Sequence, residues 1–300
     1  MPYGIGISVT ERLAAAVVVD HAVTGDLVVE SEEGLTVNSL QGVPADTIMG
    51  RIVALLQRLE VTQTPTHIGL AMPGIIRNGI VEDSPNLFQF KGMNMQMSLA
   101  DALSSRFGKI PVSITNDANA MAAGMAASRG HLDRLIRLWF LGTGIGFGRY
   151  PQVDGVWEAG HSIVTLDPKE QFCGCGGKGH LEGIMGLRAM RLRFMDLEPD
   201  EVFEQAEAGE SRCVEFVKLW HRALAAATAT SVHMSGPGKF FITGLNAKFV
   251  SLTLLNEYLH EMVKLSPLQS YSVEIVHGSE DANATIGAAV IASQAAERAS

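Results

Sequence analysis

Residues 112–128, which read VSITNDANAMAAGMAAS, decide the fold class of this chain. The segment opens as a short apolar strand at 112–115, passes through Asn-Asp-Ala-Asn at 116–119, and continues as an alanine- and methionine-rich helix at 120–128. A strand that runs into a helix through polar residues is typical of α/β layers, in which ligands bind at the ends of the strands. The sequence therefore predicts an α/β protein.

Asn116 and Asp117 stand at the predicted junction between this strand and this helix. One interpretation is a helix cap, because both side chains can accept hydrogen bonds from the amides of a first helical turn. On this segment alone the cap is favoured. The other interpretation is a carboxylate held beside a ligand, where Asp117 would take a proton from a substrate hydroxyl.

The same alternation of strands and helices extends outward along the chain. The predicted strands are 3–9, 13–20, 26–30, 67–72, 112–115, 136–141 and 240–243, and the predicted helices are 46–59, 99–107, 120–128 and 284–292. The first three strands predict an antiparallel meander, and Asp46 is the expected N-cap of the first helix. We expect a smaller domain of residues 1–115 plus the C-terminal helix 284–300, and a larger domain of residues 116–283.

Composition excludes several classes of function. The chain has 300 residues, 23 Lys and Arg against 32 Asp and Glu, and a formal net charge of −9, which disfavours nucleic acids and anionic membranes as partners. The hydrophobic fraction of 47% excludes wholesale disorder. Three cysteines make no disulfide framework, and the N-terminus carries no secretion signal, so we expect a cytoplasmic protein.

A glycine-rich segment, GTGIGFG at 142–148, follows the predicted strand 136–141. Glycines at Gly142 and Gly144 would let backbone amides approach a phosphate, and Thr143 would add a hydroxyl donor. The alternative is a β-hairpin with glycine turns. Gly244, which ends the strand 240–243, is a weaker candidate of the same kind because glycine is common where a strand meets a helix.

Two cysteines and two histidines lie within 20 residues of each other, at His161, Cys173, Cys175 and His180. Thiolate and imidazole are the ligands that tetrahedral zinc takes in proteins. The alternative is a glycine-rich surface loop with incidental cysteines. We favour the metal site, because two of the three cysteines of the chain fall in this short segment.

Taken together, these segments resemble the ROK family of sugar kinases, repressors and related proteins. The matching segments follow in order: AMPG at 71–74, SPNL at 84–87, NDANA at 116–120, the glycine-rich 142–148, EAGH at 158–161, CGCGGKGHLE at 173–182 and IGAA at 286–289. The resemblance implies a two-domain α/β fold of the actin-like, ribonuclease-H-like type, with the active site in the cleft. It also implies homo-oligomers, either dimers or tetramers.

The function that the resemblance implies is ATP-dependent phosphorylation of a hexose, with Mg²⁺ as the companion of the nucleotide. Asp117 would be the base, and Thr10, Gly142, Thr143, Gly144 and Gly244 would bind the nucleotide. The residues implied in sugar binding are Gly74, Asn116, Asp117, Glu158, His161 and Glu182. His161 would bind zinc through one ring nitrogen and the sugar through the other, so that zinc orients the imidazole and has a structural role.

Two departures from the family pattern affect these expectations. His180 stands where the zinc loop of the family has a third cysteine, which leaves a site of two histidines and two cysteines, or none. In the N-terminal phosphate segment, Gly6 replaces an aspartate, and Ser8 and Val9 replace a glycine pair. The missing carboxylate would help to organise Mg²⁺ and the phosphates. The alternative function is therefore a sugar-binding or sensor protein without catalysis.

Overall fold

A computed structural model of the chain describes residues 3–9, 12–30, 40–153, 155, 158–264 and 270–299. The chain divides into two compact units. Unit 1 consists of residues 1–136, 148–156 and 278–300, and unit 2 consists of residues 137–147 and 157–277. This division differs from the predicted boundary at residue 115. Unit 1 continues beyond the predicted strand 112–115 to residue 136, and it also includes residues 148–156.

Helices and strands alternate along most of the chain. The described strands are β1 (Tyr3–Val9), β2 (Leu13–Val19), β3 (Ala22–Val29), β4 (His67–Met72), β5 (Ile75–Arg77), β6 (Ile80–Asp83), β7 (Val112–Asn116), β8 (Ile136–Leu141), β9 (Ile145–Tyr150), β10 (Lys239–Thr243) and β11 (Ser272–Ile275). The described α-helices are α1 (Ala45–Gln57), α2 (Met95–Phe107), α3 (Asp117–Ser128), α4 (Leu181–Met185), α5 (Leu187–Arg193), α6 (Pro199–Glu207), α7 (Ser211–Ser235), α8 (Leu252–Met262) and α9 (Glu280–Ala299). Among the described residues, no helix is long and apolar enough to cross a membrane.

Unit 1 is built on a five-stranded sheet in the order β3-β2-β1-β4-β7. β2 runs antiparallel to both β1 and β3, so the predicted meander is confirmed. β4 is parallel to β1 and to β7. Aliphatic side chains of β1 and β4 form one core with α1 and α2, as expected from strands that are buried along their whole length. β5 and β6 form a separate antiparallel pair.

Small residues bring α3 and α9 together in unit 1, which explains why the unit extends beyond residue 115. A Cβ on Gly124 would lie 1.9 Å from the carbonyl oxygen of Asn283, and a Cβ on Gly287 would lie 1.7 Å from that of Ala120. Real Cβ atoms do not approach this closely, so the two backbones need glycine on both helices. The chain segment that follows β7 is therefore bound to the C-terminal helix of the same unit.

The predicted cap of the first helix is wrong by two residues. α1 begins after Pro44, and Asp46 lies inside its first turn. The carbonyl of Pro44 accepts the amide of Ile48 at 3.1 Å, and no side chain caps the helix. Proline has its φ angle restricted by its ring and adopts the conformation needed before a helix without a side-chain hydrogen bond.

Unit 2 contains a four-stranded sheet in the order β11-β10-β8-β9. Its core is richer in aromatic residues than the core of unit 1, with Trp139 and Trp220 both almost completely buried. The long helix α7 supplies much of the apolar surface against this sheet and against α4, α6 and α8. β8 and β9 are joined by the glycine-rich turn at 142–144.

Candidate functional site

Asn116 and Asp117 lie where the sequence places them, at the carboxyl end of β7 and the start of α3. Asn116 is the N-cap of α3: its side-chain oxygen accepts the amide of Asn119 at 3.2 Å, and its Nδ2 donates to the carbonyl of Gly74 at 3.1 Å. Asp117 accepts the amide of Ala118 at 2.9 Å. The cap interpretation is confirmed for Asn116, and the carboxylate of Asp117 occupies the first turn, where the helix dipole stabilises a negative charge.

Gly74 follows β4, and the chain itself requires a glycine there. Its φ angle is +123°, and a Cβ would lie 2.4 Å from the carbonyl oxygen of Asp83. Ser84 donates to the carbonyl of Pro73 at 2.8 Å and closes the same turn. The turn thus gives a structural reason for glycine at position 74. The role of Gly74 in leaving room for a sugar ring stays a prediction.

The N-terminal phosphate segment has no room for the carboxylate that the family pattern has there. A Cβ on Gly6 would lie 1.9 Å from the backbone carbonyl oxygen of Thr285 in α9. Ser8 is completely buried, and Val9 is 2% exposed. The residues present therefore do not fit the Mg²⁺-organising role implied at position 6. Thr10, predicted to bind nucleotide, lies outside the described residues.

The four predicted metal ligands come together in unit 2. The ligand atoms of His161, Cys173, Cys175 and His180 all lie within 4.8 Å of one another. The two sulfurs are 3.3 Å apart, the Cys173 sulfur is 3.4 Å from Nδ1 of His161, and the Cys175 sulfur is 3.3 Å from Nδ1 of His180. A zinc tetrahedron with these ligands has edges of about 3.4–3.8 Å. The donor set and its spacing thus fit a zinc ion.

Backbone pairing positions the two segments that carry these ligands. Ile163 and His180 form an antiparallel bridge, flanked by hydrogen bonds from Val164 to Gly179 at 2.9 Å and from Leu181 to Ser162 at 3.0 Å. His161 and His180 are brought to the same side of this short ladder, with ring centroids 5.3 Å apart. The ligands are therefore placed by main-chain structure on both sides of the site.

The two cysteines have different surroundings. Cys173 is buried and Cys175 is exposed, and the amide of Gly177 donates to the Cys175 sulfur at 3.3 Å. Burial raises the pKa of the Cys173 thiol to about 12. A thiolate is the form that binds metal, and a divalent cation beside the sulfur supplies the charge that would hold a buried thiolate.

Glu182 lies in the first turn of α4, two residues after His180, and contacts two loops of unit 2. Its Oε2 accepts the amide of Ile145 at 3.0 Å, and the Cys173 sulfur lies 3.6 Å from its Oε1. The hydrogen bond between Ile145 and Glu182 could not be predicted from the sequence, because the two residues are 37 positions apart and no sequence pattern pairs a glutamate with this amide. Glu158 is exposed, and its carbonyl accepts the amide of His161 at 2.9 Å.

The glycine-rich turn between β8 and β9 is partly bonded within the protein. The amide of Gly142 donates to the carbonyl of Gly144 at 3.0 Å, and Asn246 donates to the carbonyl of Gly142 at 3.0 Å. Thr143 is exposed. Gly244, with a φ angle of +97°, packs against the end of β8, where a Cβ would lie 2.6 Å from the carbonyl oxygen of Leu141.

The predicted sugar and metal residues divide between the units. Unit 1 contains Gly74, Asn116 and Asp117. Unit 2 contains the others, which are Glu158, His161, Glu182, Cys173, Cys175 and His180. The metal ligands are thus brought together within one unit, whereas the residues implied in sugar binding come from both.

The comparisons with known proteins identify first the fold class and then the family. A ROK hexokinase from Thermus thermophilus matches with a TM-score of 0.78 and 22% identity, covering 99% of each chain. The chain has the actin-like, ribonuclease-H-like two-domain α/β fold of these proteins. A model of the ROK family matches residues 18–295, which is most of the chain. The chain belongs to the ROK family.

Sugar kinases are among the relatives by sequence. A glucokinase from Pyrobaculum calidifontis is 31% identical over 192 residues, which are 59% of this chain and 61% of that protein. An N-acetylmannosamine kinase from Haemophilus influenzae is 27% identical over 209 residues, which are 65% of this chain and 68% of that protein. The chain thus spans less than two thirds of the glucokinase that it matches.

Proposed function

We propose that this protein phosphorylates a hexose hydroxyl with ATP, with Asp117 as the base. The observation that carries the proposal is the position of Asp117 at the carboxyl end of β7, next to an Asn116 whose side chain is bonded on both sides. A carboxylate at the end of a strand of an α/β sheet stands where such proteins bind ligands. The names of the sugar-kinase relatives support the same reaction.

In this mechanism, Asp117 accepts the proton of the sugar hydroxyl as that oxygen attacks the phosphoryl group. Proton removal by a positioned base contributes about 10²–10⁴-fold to such reactions. The remaining demand is positioning, because phosphoryl transfer needs little covalent participation by the protein. We assign the positioning of the sugar to Asn116, Glu158, His161 and Glu182, whose amide, carboxylate and imidazole groups match hydroxyl donors and acceptors, and to Gly74, which leaves room for the ring.

We infer that the cluster of His161, Cys173, Cys175 and His180 binds one structural zinc ion. His161 turns its Nδ1 toward the Cys173 sulfur, so Nε2 is the ring nitrogen left for the sugar. Zinc, when bound, supplies a fixed orientation for this imidazole. His180 replaces the third cysteine as an acceptable ligand, since imidazole and thiolate both bind zinc.

For the nucleotide, we propose Thr10, Gly142, Thr143, Gly144 and Gly244. Among the described residues, the amides of Thr143 and Gly144 have no protein acceptor, so both are available to a phosphate oxygen. The mechanism uses no carboxylate at position 6, because the backbone of Thr285 occupies that space. Recognition of phosphate would therefore depend on backbone amides more than on a metal held by β1.

The second candidate function is sugar binding without catalysis. One observation favours it: in this structure Gly6 lies so close to α9 that the Cβ of an aspartate would overlap the carbonyl oxygen of Thr285. A protein of this kind would keep the hexose-binding residues and the zinc site and would respond to the sugar through its conformation.

Two parallel measurements separate the candidates. ADP release is measured with Mg-ATP across glucose, mannose, N-acetylglucosamine and allose, and thermal stabilisation is measured with each sugar and with a nonhydrolysable nucleotide. Turnover with one of these sugars supports the kinase. Stabilisation by sugar, together with no turnover and no stabilisation by nucleotide, rejects the kinase and supports the binding protein.

A further inference from the structure

Glu182 joins the candidate metal site to the glycine-rich turn of residues 142–145. It stands two positions after the metal ligand His180, in the first turn of α4. One of its carboxylate oxygens accepts the amide of Ile145 at 3.0 Å. The other lies 3.6 Å from the sulfur of Cys173, a second metal ligand. A single side chain therefore contacts one candidate metal ligand, Cys173, and the turn.

The turn and the neighbouring segments pack closely beside this carboxylate. A Cβ on Gly144 would lie 2.4 Å from Oε2 of Glu182, and a Cβ on Gly160 would lie 2.1 Å from the carbonyl oxygen of Ile145. On α4, a Cβ on Gly183 would lie 2.9 Å from the amide nitrogen of Cys173. The segment that carries His161 thus lies against the backbone of Ile145, and α4 lies against the backbone of Cys173, so a shift of either segment changes the packing beside Glu182.

We propose that Glu182 is a positioning residue through which occupancy of the metal site orders the turn of residues 142–145. The proposal rests on the inferred metal site and is independent of whether the chain phosphorylates a sugar. It gives the metal a second effect, on the segment with the available amides of Thr143 and Gly144, in addition to orienting His161.

The physical basis is the short length of α4. A five-residue helix is not stable by itself and depends on what its ends contact. Metal bonds to His180 and Cys173 would hold the first turn of α4 and the backbone behind it. The carboxylate of Glu182 is then presented to the amide of Ile145 in one position. Without the metal, the first turn of α4 is restrained by the hydrogen bonds between the two ligand segments and by Leu181, Ile184 and Met185, which are buried in the core of unit 2, while the side chains of His180 and Cys173 are no longer bound to a common ion.

Hydrogen exchange of the full-length chain, measured with metal bound and after chelation, tests the proposal. In the wild type, we expect chelation to speed exchange of the Ile145 amide by about tenfold or more, since a hydrogen bond to a charged group is lost. In Glu182→Ala, exchange of that amide should be fast with metal bound and should not rise further on chelation. Glu182→Gln keeps an acceptor oxygen and should retain part of the response.

Glu210→Ala is the matched control, because Glu210 also accepts a backbone amide, that of Cys213, at 2.7 Å, at the start of α7. This variant should keep the full response of Ile145 to chelation. Metal content is measured in every sample. The proposal is overturned if chelation leaves the exchange of Ile145 unchanged in the wild type, or if Glu182→Ala still responds as the wild type does. A chain that binds no metal overturns the coupling, whatever its kinase activity.

A second variant keeps the test valid if Glu182→Ala does not fold. Gly144→Ala keeps the glutamate but adds a Cβ 2.4 Å from the position that Oε2 now occupies, so the carboxylate has to move. We expect it to separate Glu182 from Ile145 and to remove the response to chelation while the metal stays bound. An unchanged response in this variant would also count against the proposal.

Discussion

Strand β1 in unit 1 and the candidate metal cluster in unit 2 both depart from the family pattern, yet the two departures have opposite structural consequences. At position 6 the carboxylate is missing, and the carbonyl of Thr285 lies where any side chain would begin. At position 180 a histidine replaces a cysteine, and its Nδ1 lies 3.3 Å from the Cys175 sulfur, among the four candidate metal ligands. The effect of a substitution thus depends on what the fold places in the space that it leaves.

The largest expected effect concerns Asp117 of unit 1, the proposed base, which matches the family pattern. If the protein is a kinase, Asp117→Asn should lower the rate of ADP release by about 10²–10⁴-fold, because the amide cannot take the proton of the hydroxyl. Sugar-dependent thermal stabilisation should persist, because the amide keeps the shape of the side chain. Asp101→Asn, at an exposed position of α2, is the control and should keep full activity. Wild-type turnover in Asp117→Asn would remove Asp117 from the mechanism.

A pair of glycine variants tests whether position 6 is closed. Gly6→Ala should lower the free energy of unfolding by about 3 kcal/mol, because the new Cβ would overlap the backbone of Thr285. Gly50→Ala, in α1 with no atom within 4 Å of the added Cβ, should raise it by about 0.5–1 kcal/mol. Urea unfolding measures both. If Gly6→Ala is as stable as the wild type, α9 can move away and the family carboxylate is sterically allowed.

The metal cluster should be changed less by a cysteine than by an alanine at position 180. We expect about one zinc per chain in the wild type and an affinity reduced by roughly 10–100-fold or more in His180→Ala, the range found even for groups that support metal ligands. His180→Cys should retain the metal. Elemental analysis and competition with a chelator measure these values, and His260→Ala, at an exposed position of the same unit, is the control. An intact, metal-free wild type would reject the site.

The smallest expected effect is a pH dependence of stability from a buried histidine of unit 2. Burial lowers the pKa of His221, whose Nδ1 donates to the carbonyl of Val217 at 2.8 Å and whose Nε2 accepts the amide of Ser251 at 2.9 Å. The folded chain therefore resists protonation more than the unfolded chain does. The contribution of the neutral His221 to the free energy of unfolding is complete above about pH 6.5, the pKa of a free histidine. It is lost as the pH falls below that value.

Unfolding followed between pH 7.5 and pH 5 measures this dependence. We expect His221→Gln to flatten the loss of stability at low pH, whereas His260→Gln should leave it unchanged because that side chain is exposed. His67 in unit 1, whose pKa burial also lowers, adds a loss in the same direction that should remain in both variants. An unchanged pH dependence in His221→Gln would show that the histidine is protonated without cost.

Local patterns carried much of the fold prediction. Strands β1, β2, β4 and β7 of unit 1 and the helix after β7 follow from short apolar runs that end in polar residues. The helix begins at Asp117 and not at the predicted residue 120, and strands β5 and β6 were not predicted. The unit boundary did not follow, because it depends on Gly124 and Gly287 meeting the backbone of a helix more than 150 residues away. No local pattern contains that distance in sequence.

At the candidate metal site, too, local sequence patterns predicted the candidate ligands but not the contacts between distant segments. Their types and short spacing predicted a cluster, and the structure brings ligand atoms of His161, Cys173, Cys175 and His180 within 4.8 Å of one another. The contact between Glu182 and Ile145 was not predictable, since a glutamate in a glycine-rich region has no sequence mark for a backbone partner.

The sequence by itself determined the α/β class, the presence of the ROK motifs in their family order and the chemistry of the four candidate metal ligands. All three depend on residue type and spacing. Only the tertiary structure decided that the carbonyl of Thr285 occupies the space beside position 6 and that Glu182 contacts both Cys173 and the amide of Ile145. Both depend on which backbone atoms come within van der Waals or hydrogen-bond distance, and that is set by packing between segments far apart in the chain.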